Sequence, residues 1–599
     1  MNAPAKISDA EALPTWRLDD LYSGREDPRI EADLAAAKAA SDALVALKGA
    51  FVAARAEPAR LGVLLDRGIR LYEDATNALW SVGAYAGLAA STARDDPAWA
   101  KFEADLRAKS SQIAAESLFF TLELNELEDA ELEAALAAHP PAATWRPWLR
   151  RVRLGRPHEL TADLERMLVD RGPAVANWTR LYDETLARLV ARVGREQLTL
   201  PETLNRLSDP DGARRKAAAR GLAKALAERE TTLALCLNTV AFEKQVEDRW
   251  RKYATPAAAR HIANEVDGAA VNALEEAVVE AYPRISHRYY RLKAKAMGRS
   301  ALDHWDRNAP LTTAQPRRYD WATAKGIVLE SFSALAPRFA DTAETFFTRP
   351  WIDAQPRQGK QSGAYSHPVT STRHPFVFLN YMGERRDVLT LAHELGHAVH
   401  QTLAAPQGTL LADTPLTLAE TASIFGEGLV FERLLAEAPK AERRDLLAGR
   451  IEDGLNTVVR QIAFHRFETR FHAARVEGEM APDQIGGLWV DVMGESLGPA
   501  IRLNPGYEHY WAYVSHFVHA PFYVYAYAFG DLLVRGLMEA RRKDPAGFAP
   551  LYEALLAGGG ARTYVEALAP FGLDPREKAF WAAGCAGIER LVDEFEALV

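Results

Sequence analysis

The stretch that decides the fold is His393-Glu394-Leu395-Gly396-His397, in which two histidines four residues apart enclose a glutamate. On a helix, residues four apart lie one turn above each other, so both imidazoles can reach a single metal ion. Glu394 is then placed to take a proton from a water molecule bound to that metal. The pattern indicates zinc hydrolase chemistry, with one zinc ion per chain. The alternative is a helix that carries two surface histidines.

The residues around this pentapeptide have the spacing of an amphipathic helix, and Asp387 is placed to cap its start. The apolar positions of that helix are Val388, Leu391, Ala392, Leu395 and Val399. Immediately upstream, residues 376–381 predict a short β-strand with Phe376, Phe378 and Asn380 on one face. The sequence therefore places a small sheet beside the metal-motif helix, in a chain whose other periodic segments are mostly helical.

A catalytic zinc site needs a third protein ligand and one open position for water. A third histidine six residues after His397 is excluded, because that position is Leu403. His400 lies on a neighbouring face of the helix and is interpreted as a residue that supports the ligands or as structural. The remaining common ligand is a carboxylate from the next predicted helix, residues 416–436, and Glu420 near its start is the candidate.

Two polar residues share the predicted helix face of Glu420. Ser423 and Glu427 follow it at the third and seventh positions. Glu427 can accept the second ring N–H of a zinc-bound histidine and so fix its tautomer. We interpret both residues as support for the metal ligands. The alternative is a solvated acidic helix face.

A segment far downstream, HFVHAPFYVYAY, places two histidines among three tyrosines. If the segment is helical, His519, Tyr523 and Tyr527 form one stripe, and His516 projects near it. Tyrosine O–H or histidine N–H groups beside a metal would stabilise the oxyanion that forms when an amide is attacked. We predict catalytic roles for these four residues; which histidine, and which of the three tyrosines including Tyr525, contacts the transition state is left open. The alternative is an aromatic core stripe.

A glycine-bearing loop precedes the predicted strand and suggests how a substrate is held. Glycine lets a substrate backbone approach closely, and a strand can pair with an extended peptide. The residues predicted to contact the substrate are Gly363, Ala364, Tyr365, Phe378 and Asn380.

Composition limits the remaining possibilities. A chain of 599 residues exceeds one hydrophobic core, so two or more lobes are expected. A net charge of −9 argues against a nucleic-acid partner. The two cysteines, Cys236 and Cys585, lie far apart outside any paired motif and are expected to be reduced. The sequence shows neither a secretory signal nor a membrane span, so we expect a cytoplasmic protein with no membrane partner.

Several segments together resemble the thimet oligopeptidase-like metallopeptidases, and most closely the oligoendopeptidase F group. Within the site these segments are HELGHAVH, LAETASIFGE, SGAYS and HFVHAPFYVYAYAFG. Near the ends of the chain, PTWRLDDLYSG and GLDPREKAFW are also similar to that group. The resemblance covers nearly the full chain.

The resemblance implies a mainly α, two-lobed helical fold that encloses a deep channel. It implies that residues 1–200 form a helical region closing over the channel and that residues 201–599 form the catalytic domain. It also implies zinc-dependent endopeptidase activity on short peptides, with His393, His397 and Glu420 as zinc ligands and Glu394 as general base. The His/Tyr segment matches a region that stabilises the transition state.

Two other functions are compatible with the same residues. Helical zinc carboxypeptidases and dipeptidyl carboxypeptidases also use His-Glu-x-x-His with a further glutamate. A non-catalytic helical scaffold that binds peptides is the alternative from another class, although the intact base and ligand set argue against it. Cleavage preference, physiological substrates, oligomeric state and lobe closure are not encoded in residue spacing.

Overall fold

Several helices of this chain begin where an acidic residue precedes a proline. The helix Pro28–Val45 starts after Asp27, whose carboxylate accepts the backbone N–H of Arg29 at 2.9 Å. The helix Pro97–Glu116 starts after Asp96 in the same way. Proline has no N–H to leave unpaired in the first turn, and the aspartate satisfies one of the remaining donors. Local sequence chemistry thus sets these helix starts.

The structure, a computed structural model, describes residues 13–311 and 317–599. These residues form two compact units. The first unit comprises residues 13–156, 317–434 and 544–571, and the second comprises residues 157–311, 435–543 and 572–599. The division at residue 200 and the deep channel stay predictions.

The first unit is built mainly from helices. In its N-terminal segment they are Pro28–Val45, Ala50–Ala53, Pro58–Ser91, Pro97–Glu116, Leu118–Glu126, Asp129–Ala138, Pro140–Ala143 and Arg146–Arg153. Its later helices are Trp321–Ser333, Pro337–Thr348, Arg385–Ala404, Thr409–Ala412, Leu416–Ala419, most of Thr421–Glu437, Pro545–Ala557 and Tyr564–Leu568. The long helix Pro58–Ser91 contributes to two buried apolar clusters. Leu61, Leu65 and Ile69 belong to one, and Val82, Tyr85 and Leu88 to the other.

The first unit also contains a three-stranded sheet. Phe376–Phe378 lies in the middle, parallel to Ile352–Asp353 on one side and antiparallel to Tyr365–His367 on the other. The predicted strand 376–381 is therefore shorter than expected. The sheet packs beside the helix Arg385–Ala404, as the sequence predicts.

A buried ion pair fixes the loop that leads into the strand Tyr365–His367. The Lys360 ammonium lies 2.7 Å from the Asp353 carboxylate, and both side chains are almost fully buried. Lys360 also donates to the backbone carbonyl of Leu379 at 2.6 Å. Because a buried charge is stable only when it is paired and hydrogen-bonded, this arrangement holds the loop against the sheet.

The second unit is also mainly helical. Its helices are Ala162–Ala187, Leu200–Arg206, Gly212–Ala227, Glu230–Trp250, Ala258–Ala263, Gly268–Ala281, Ser286–Ala296, Lys440–Gly454, Leu455–Val459, Arg460–Arg475, Pro482–Leu497, His516–His519, Tyr525–Lys543 and Lys578–Glu596. Two small pairings accompany them: an antiparallel hairpin of Val190–Val193 with Glu196–Thr199, and a parallel pair of Leu302–Asp303 with Ile501–Arg502. Trp489, Trp511 and Trp581 are among its fully buried side chains.

The mainly α class with a small sheet beside the metal-motif helix is confirmed. Among the described residues, none of the helices is both long enough and apolar enough to cross a membrane. Cys236 and Cys585 are both buried and form no disulfide.

Candidate metal centre

The pentapeptide lies on the helix Arg385–Ala404, called here the metal-site helix. Asp387, at the third position, accepts the backbone N–H groups of Met382 and Glu384 at 2.8 and 2.9 Å. The helix begins at Arg385, so Asp387 lies within its first turn and caps the helix from there rather than from the residue before it. Those apolar side chains, at positions 388, 391, 392, 395 and 399, are all fully buried. The apolar face is therefore packed in the core, and the face with His393 and His397 lines a cavity.

The predicted helix over residues 416–436 is interrupted at Glu420. One turn, Leu416–Ala419, ends there, and a second helix, Thr421–Glu437, follows. The ψ angle of Glu420 is 1°, far from the helical value of about −42°. The Ser423 hydroxyl lies 3.1 Å from the Glu420 carbonyl and 2.6 Å from its carboxylate, a side-chain bond that competes with helix formation. The break aims the carboxylate of Glu420 at the metal-site helix.

His393, His397 and Glu420 converge on one point. Oε2 of Glu420 lies 3.4 Å from Nε2 of each histidine, and the two imidazole ring centroids are 5.0 Å apart. One ligand atom from each residue lies within 4.8 Å of the other two. Two imidazoles with one carboxylate are a donor set typical of catalytic zinc, in which a fourth position stays open. The residues present therefore fit a zinc ion.

Gly396 allows the two helices to approach this closely. A Cβ at this position would lie 2.5 Å from the Ala422 carbonyl oxygen and 2.7 Å from the Ser423 Cα. Both obstacles are backbone atoms, which cannot move aside as a flexible side chain can. Glu420 lies only two residues before Ala422, so this close approach also brings its carboxylate near the two histidines.

Charges in the cluster favour an anionic Glu420. Burial raises the pKa of this carboxyl, but His397, His393 and Ser423 outweigh burial and hold it at about 2. Burial lowers the pKa of His393, but Glu427, Glu420 and Glu394 raise it above its ordinary value. Oε2 of Glu427 lies 3.4 Å from Nδ1 of His393, the ring nitrogen opposite the one that faces Glu420. The site therefore presents a carboxylate to a cation before any cation binds.

Glu394 is buried next to this cluster and is only 6% exposed. Burial raises the pKa of its carboxyl above the ordinary range; His393 and His397 lower it, and Glu420 raises it further. The backbone of Ser366, in the strand Tyr365–His367, also interacts with this carboxyl and lowers its pKa. A carboxylate with a raised pKa is a stronger base.

A cavity of about 470 Å³ within the first unit contains the cluster. Its walls include Ala364, Tyr365 and Ser366, which belong to the predicted glycine-bearing segment. The Ser366 hydroxyl lies 2.8 Å from the side-chain oxygen of Gln401 on the metal-site helix. His400 also lines the cavity, and burial lowers its pKa to about 3, so it is uncharged there at neutral pH.

The prediction that a substrate pairs with the strand at residues 376–381 is wrong. Phe376–Phe378 is the central strand, and both of its edges already pair with other strands. Phe378 is 0% exposed and stacks on Tyr365 with ring centroids 4.9 Å apart. A central strand offers no free backbone groups, so Phe378 cannot contact a substrate in this way. The edge strand beside the cavity is Tyr365–His367.

The other predicted substrate contacts lie around this edge. The Asn380 amide donates to the carbonyls of Gln361 and Gly363 at 3.0 and 3.1 Å, so it secures the loop rather than facing the cavity. Gly363 is exposed and has a φ of +92°, a conformation that favours glycine. The Tyr365 hydroxyl bonds to Ser91 at 2.8 Å. Substrate contact by Gly363, Ala364 and Tyr365 stays a prediction.

The His/Tyr segment is not one continuous helix, so the stripe expected for a helical segment does not form. A single turn, His516–His519, ends at Ala520, and the next helix starts at Tyr525. Between them, Pro521 has no N–H to continue a helix, and Phe522 adopts a φ of +60°. The segment belongs to the second unit, whereas the metal cluster belongs to the first.

The polar side chains of residues 516–527 have different partners and do not form one group. His516 Nε2 lies 3.1 Å from the Tyr527 hydroxyl, and the Tyr523 ring contacts both side chains. His519 instead lies 2.7 Å from the Asp183 carboxylate. The Tyr525 hydroxyl is buried, 2.9 Å from the Asn264 amide and 3.0 Å from a ring nitrogen of His261. His516, Tyr523 and Tyr527 therefore form one polar cluster, and the two others face different partners.

Sequence reasoning missed three residues that shape the site. Gln401 follows His397 by four positions, so helical spacing could have placed it on the cavity face. Gly396 stands inside the motif, but only the neighbouring helix shows why it must be small. Trp80 lines the cavity from a helix far away in sequence, and no local signal points to it.

Comparison with known proteins agrees with this fold. Residues 206–587 match the family model for peptidase family M3, and residues 123–190 match that for oligopeptidase F. The chain is similar to oligopeptidase PepF of Bacillus subtilis, with 23% identity over 99% of this chain and 88% of that protein. A solved structure from Chlamydophila abortus superposes with a TM-score of 0.86, 22% identity and 98% coverage of each chain. Oligoendopeptidase-F from Enterococcus faecium gives a TM-score of 0.68, with 19% identity over 95% of this chain and 99% of that one.

A helical fold with a two-histidine, one-glutamate cluster beside a buried glutamate defines a metallopeptidase. The chain belongs to peptidase family M3, whose model matches most of its length. The resemblance read from the sequence motifs is thereby confirmed.

The substitution Gly396→Ala should damage the centre without removing a ligand. Its added methyl group would meet backbone atoms of residues 422 and 423, forcing the helices apart. We expect a stability loss of about 1–3 kcal/mol and weaker metal binding, measured by denaturant unfolding and metal titration. Gly326→Ala is the matched control, because a Cβ there meets nothing within 4 Å. Equal metal affinity and stability in both variants would contradict this role of Gly396.

Proposed function

We propose that this chain is a zinc-dependent endopeptidase that hydrolyses short peptides, with Glu394 as general base. The observation that carries the proposal is the position of buried Glu394 beside the cluster of His393, His397 and Glu420, inside one cavity. The M3 family membership and the similarity to oligopeptidase PepF support peptides as the substrate class. The predicted cytoplasmic location stays a prediction.

In this proposal His393, His397 and Glu420 hold the zinc ion. Bound there, zinc would polarise the scissile carbonyl and make water easier to deprotonate. Oε2 of Glu427, 3.4 Å from Nδ1 of His393, is placed to accept that N–H, which would leave Nε2 of the ring free to act as a ligand. Ser423 donates to the Glu420 carboxylate and keeps it oriented. Both residues are proposed to support the ligands.

Glu394 moves the protons. Its carboxylate takes a proton from the attacking water as the oxygen bonds to the scissile carbonyl carbon. It then gives that proton to the leaving amine nitrogen as the carbon–nitrogen bond breaks, so the carboxylate is regenerated. The raised pKa of Glu394 suits both halves of this cycle, because a stronger base also remains a usable acid near neutral pH.

The substrate is proposed to lie along the edge strand Tyr365–His367, with the loop at Gly363 and Ala364 continuing its path. Extended peptides commonly add a strand to such an edge. His516, Tyr523 and Tyr527 are proposed to donate to the oxyanion. His519, paired with Asp183, and Tyr525, bonded to Asn264, are less suited to that role.

Glu394→Gln should separate chemistry from metal binding. The amide keeps the size of the side chain but cannot accept the proton, so we expect kcat/KM to fall by about 10²–10⁴-fold. Zinc content, measured by elemental mass spectrometry, should remain near that of the unmodified protein. Glu344→Gln, on an exposed helical position of the same unit, is the control and should retain full activity. Substantial turnover by Glu394→Gln would reject the base assignment.

Glu420→Ala should lower metal content instead. It removes one of three donors, and even partners behind the ligands are worth about 10–100-fold in metal affinity, so we expect a loss above 100-fold. Competition with a zinc indicator measures the constant, and Glu344→Ala serves as control. Unchanged affinity would remove Glu420 from the ligand set.

Blocked peptides test the class of peptidase. Peptides acetylated at one end and amidated at the other, in graded lengths, should be cut internally, and mass spectrometry identifies the products. A chelator should abolish cleavage and added zinc should restore it. A carboxypeptidase or dipeptidyl carboxypeptidase would spare every blocked peptide. A non-catalytic scaffold would bind zinc and hydrolyse neither blocked nor free peptides.

A further inference from the structure

Phe522 has a backbone conformation that its side chain disfavours. Its φ is +60°, in the left-handed region that bulky residues rarely adopt, and its ring is 1% exposed. It lies between the turn His516–His519 and the helix starting at Tyr525, where the chain changes direction. A strained residue persists only where its surroundings hold it, and such residues concentrate at functional sites.

One face of the helix Arg460–Arg475 holds Phe522. His465, Glu468 and His472 occur at intervals of three and four residues, so they share a face. We call these three residues the Phe522 seat. The Phe522 ring lies 5.9 Å from the His465 ring and 4.8 Å from the His472 ring, centroid to centroid. The backbone N–H of Phe522 donates to Oε1 of Glu468 at 2.7 Å.

Glu468 is a buried carboxyl that the proposed mechanism leaves unused. It is 1% exposed, and its Oε2 has no hydrogen-bond partner among the described residues. Burial raises the pKa of Glu468 to about 8, opposed by the Phe522 N–H, Arg260 and Lys244. At neutral pH the carboxyl is therefore largely uncharged, and it accepts the Phe522 N–H without placing a full charge in the core.

The residue after Phe522 is Tyr523, a member of the polar cluster. Its ring stacks with His516 at 6.3 Å and meets Tyr527 edge to face at 5.4 Å. The guanidinium of Arg260 lies 5.5 Å from the Tyr523 ring centroid. Because the peptide unit between Phe522 and Tyr523 is planar, the conformation fixed at Phe522 sets the direction in which Tyr523 leaves the backbone.

We propose that Glu468 is a positioning residue for hydrolysis: by accepting the Phe522 N–H, it holds the kink that presents Tyr523 with His516 and Tyr527. This inference rests on the proposed role of that cluster in stabilising the oxyanion. The seat acts through the backbone, so it needs no contact with substrate or metal. Its effect should therefore fall on kcat and leave the metal ligands of the first unit unchanged.

The test compares Glu468→Met with Glu468→Gln. Methionine has a similar length but no comparable acceptor, so the Phe522 N–H loses its partner. We expect kcat to fall by about 10- to 100-fold, because small misplacements of catalytic groups have effects of this size. Glutamine keeps a carbonyl acceptor and resembles the uncharged carboxyl, so it should retain most of kcat. Zinc content should be unchanged in both variants.

Two controls separate positioning from loss of stability. Ile588→Val shortens a fully buried side chain of the same unit, so it should lower Tm while leaving kcat unchanged. Phe522→Leu disturbs the seat from the other side, because it keeps apolar burial but removes the ring contacts with both histidines. It supplies the measurement if Glu468→Met does not fold, and its expected result is the same loss of kcat.

The double variant Tyr523→Phe/Tyr527→Phe distinguishes the inference from the function on which it rests. We expect it to lower kcat by about 10²–10³-fold, as loss of oxyanion donors does. Adding Glu468→Met, or Phe522→Leu, to it should then cause little further loss, because both changes act on the same groups. Three results would overturn the role of Glu468 alone. They are losses of kcat that add fully in the combined variant, a loss of kcat in Glu468→Gln as large as in Glu468→Met, or no loss of kcat in Glu468→Met. An active double variant would overturn the role of the tyrosines and the inference with it.

Discussion

The centre depends on the close backbone approach of two helices. Gly396 on the metal-site helix faces the Ala422 carbonyl. A Cβ on Gly426 of the next helix would lie 2.9 Å from the Phe332 ring and 3.3 Å from the Ala392 carbonyl oxygen. Glycine on both helices removes the side chains that normally keep helix axes about 8–10 Å apart. The separation that results lets one carboxylate reach two imidazoles that stand on a different helix. The geometry of the metal centre therefore depends on these glycines as well as on the ligand side chains.

Electrostatics and geometry reinforce each other around this close approach. The neighbouring histidines hold the pKa of Glu420 below its ordinary value, Oε2 of Glu427 lies 3.4 Å from Nδ1 of His393, and burial raises the pKa of Glu394. Three glutamates in one small region would repel each other strongly without cationic or hydrogen-bonding partners. The histidines, Ser423 and the backbone near Ser366 supply part of that compensation. A bound cation would supply the rest.

Local patterns predicted the helix of the pentapeptide, its buried face and the carboxylate that joins the two histidines. They failed where long-range pairing or backbone strain decides the outcome. The alternation at 376–381 identifies a strand, but only its neighbours on both sides make Phe376–Phe378 central. The i, i+4, i+8 spacing from His519 to Tyr527 suggests one helix, yet Pro521 and the seat for Phe522 break it. The spacing of residues 516–527 cannot show that Glu468, on another helix, accepts the backbone N–H of Phe522.

All three donors of the metal centre lie in the first unit, although that unit is assembled from three separate stretches of chain. A ligand that binds only the folded form stabilises it by about 4.1 kcal/mol when present at a thousand times its dissociation constant. That free energy would be added to the unit that contains the donors. The resistance of this unit to heat and to proteolysis would then depend on how much metal the surroundings supply, which ties the lifetime of the enzyme to metal availability.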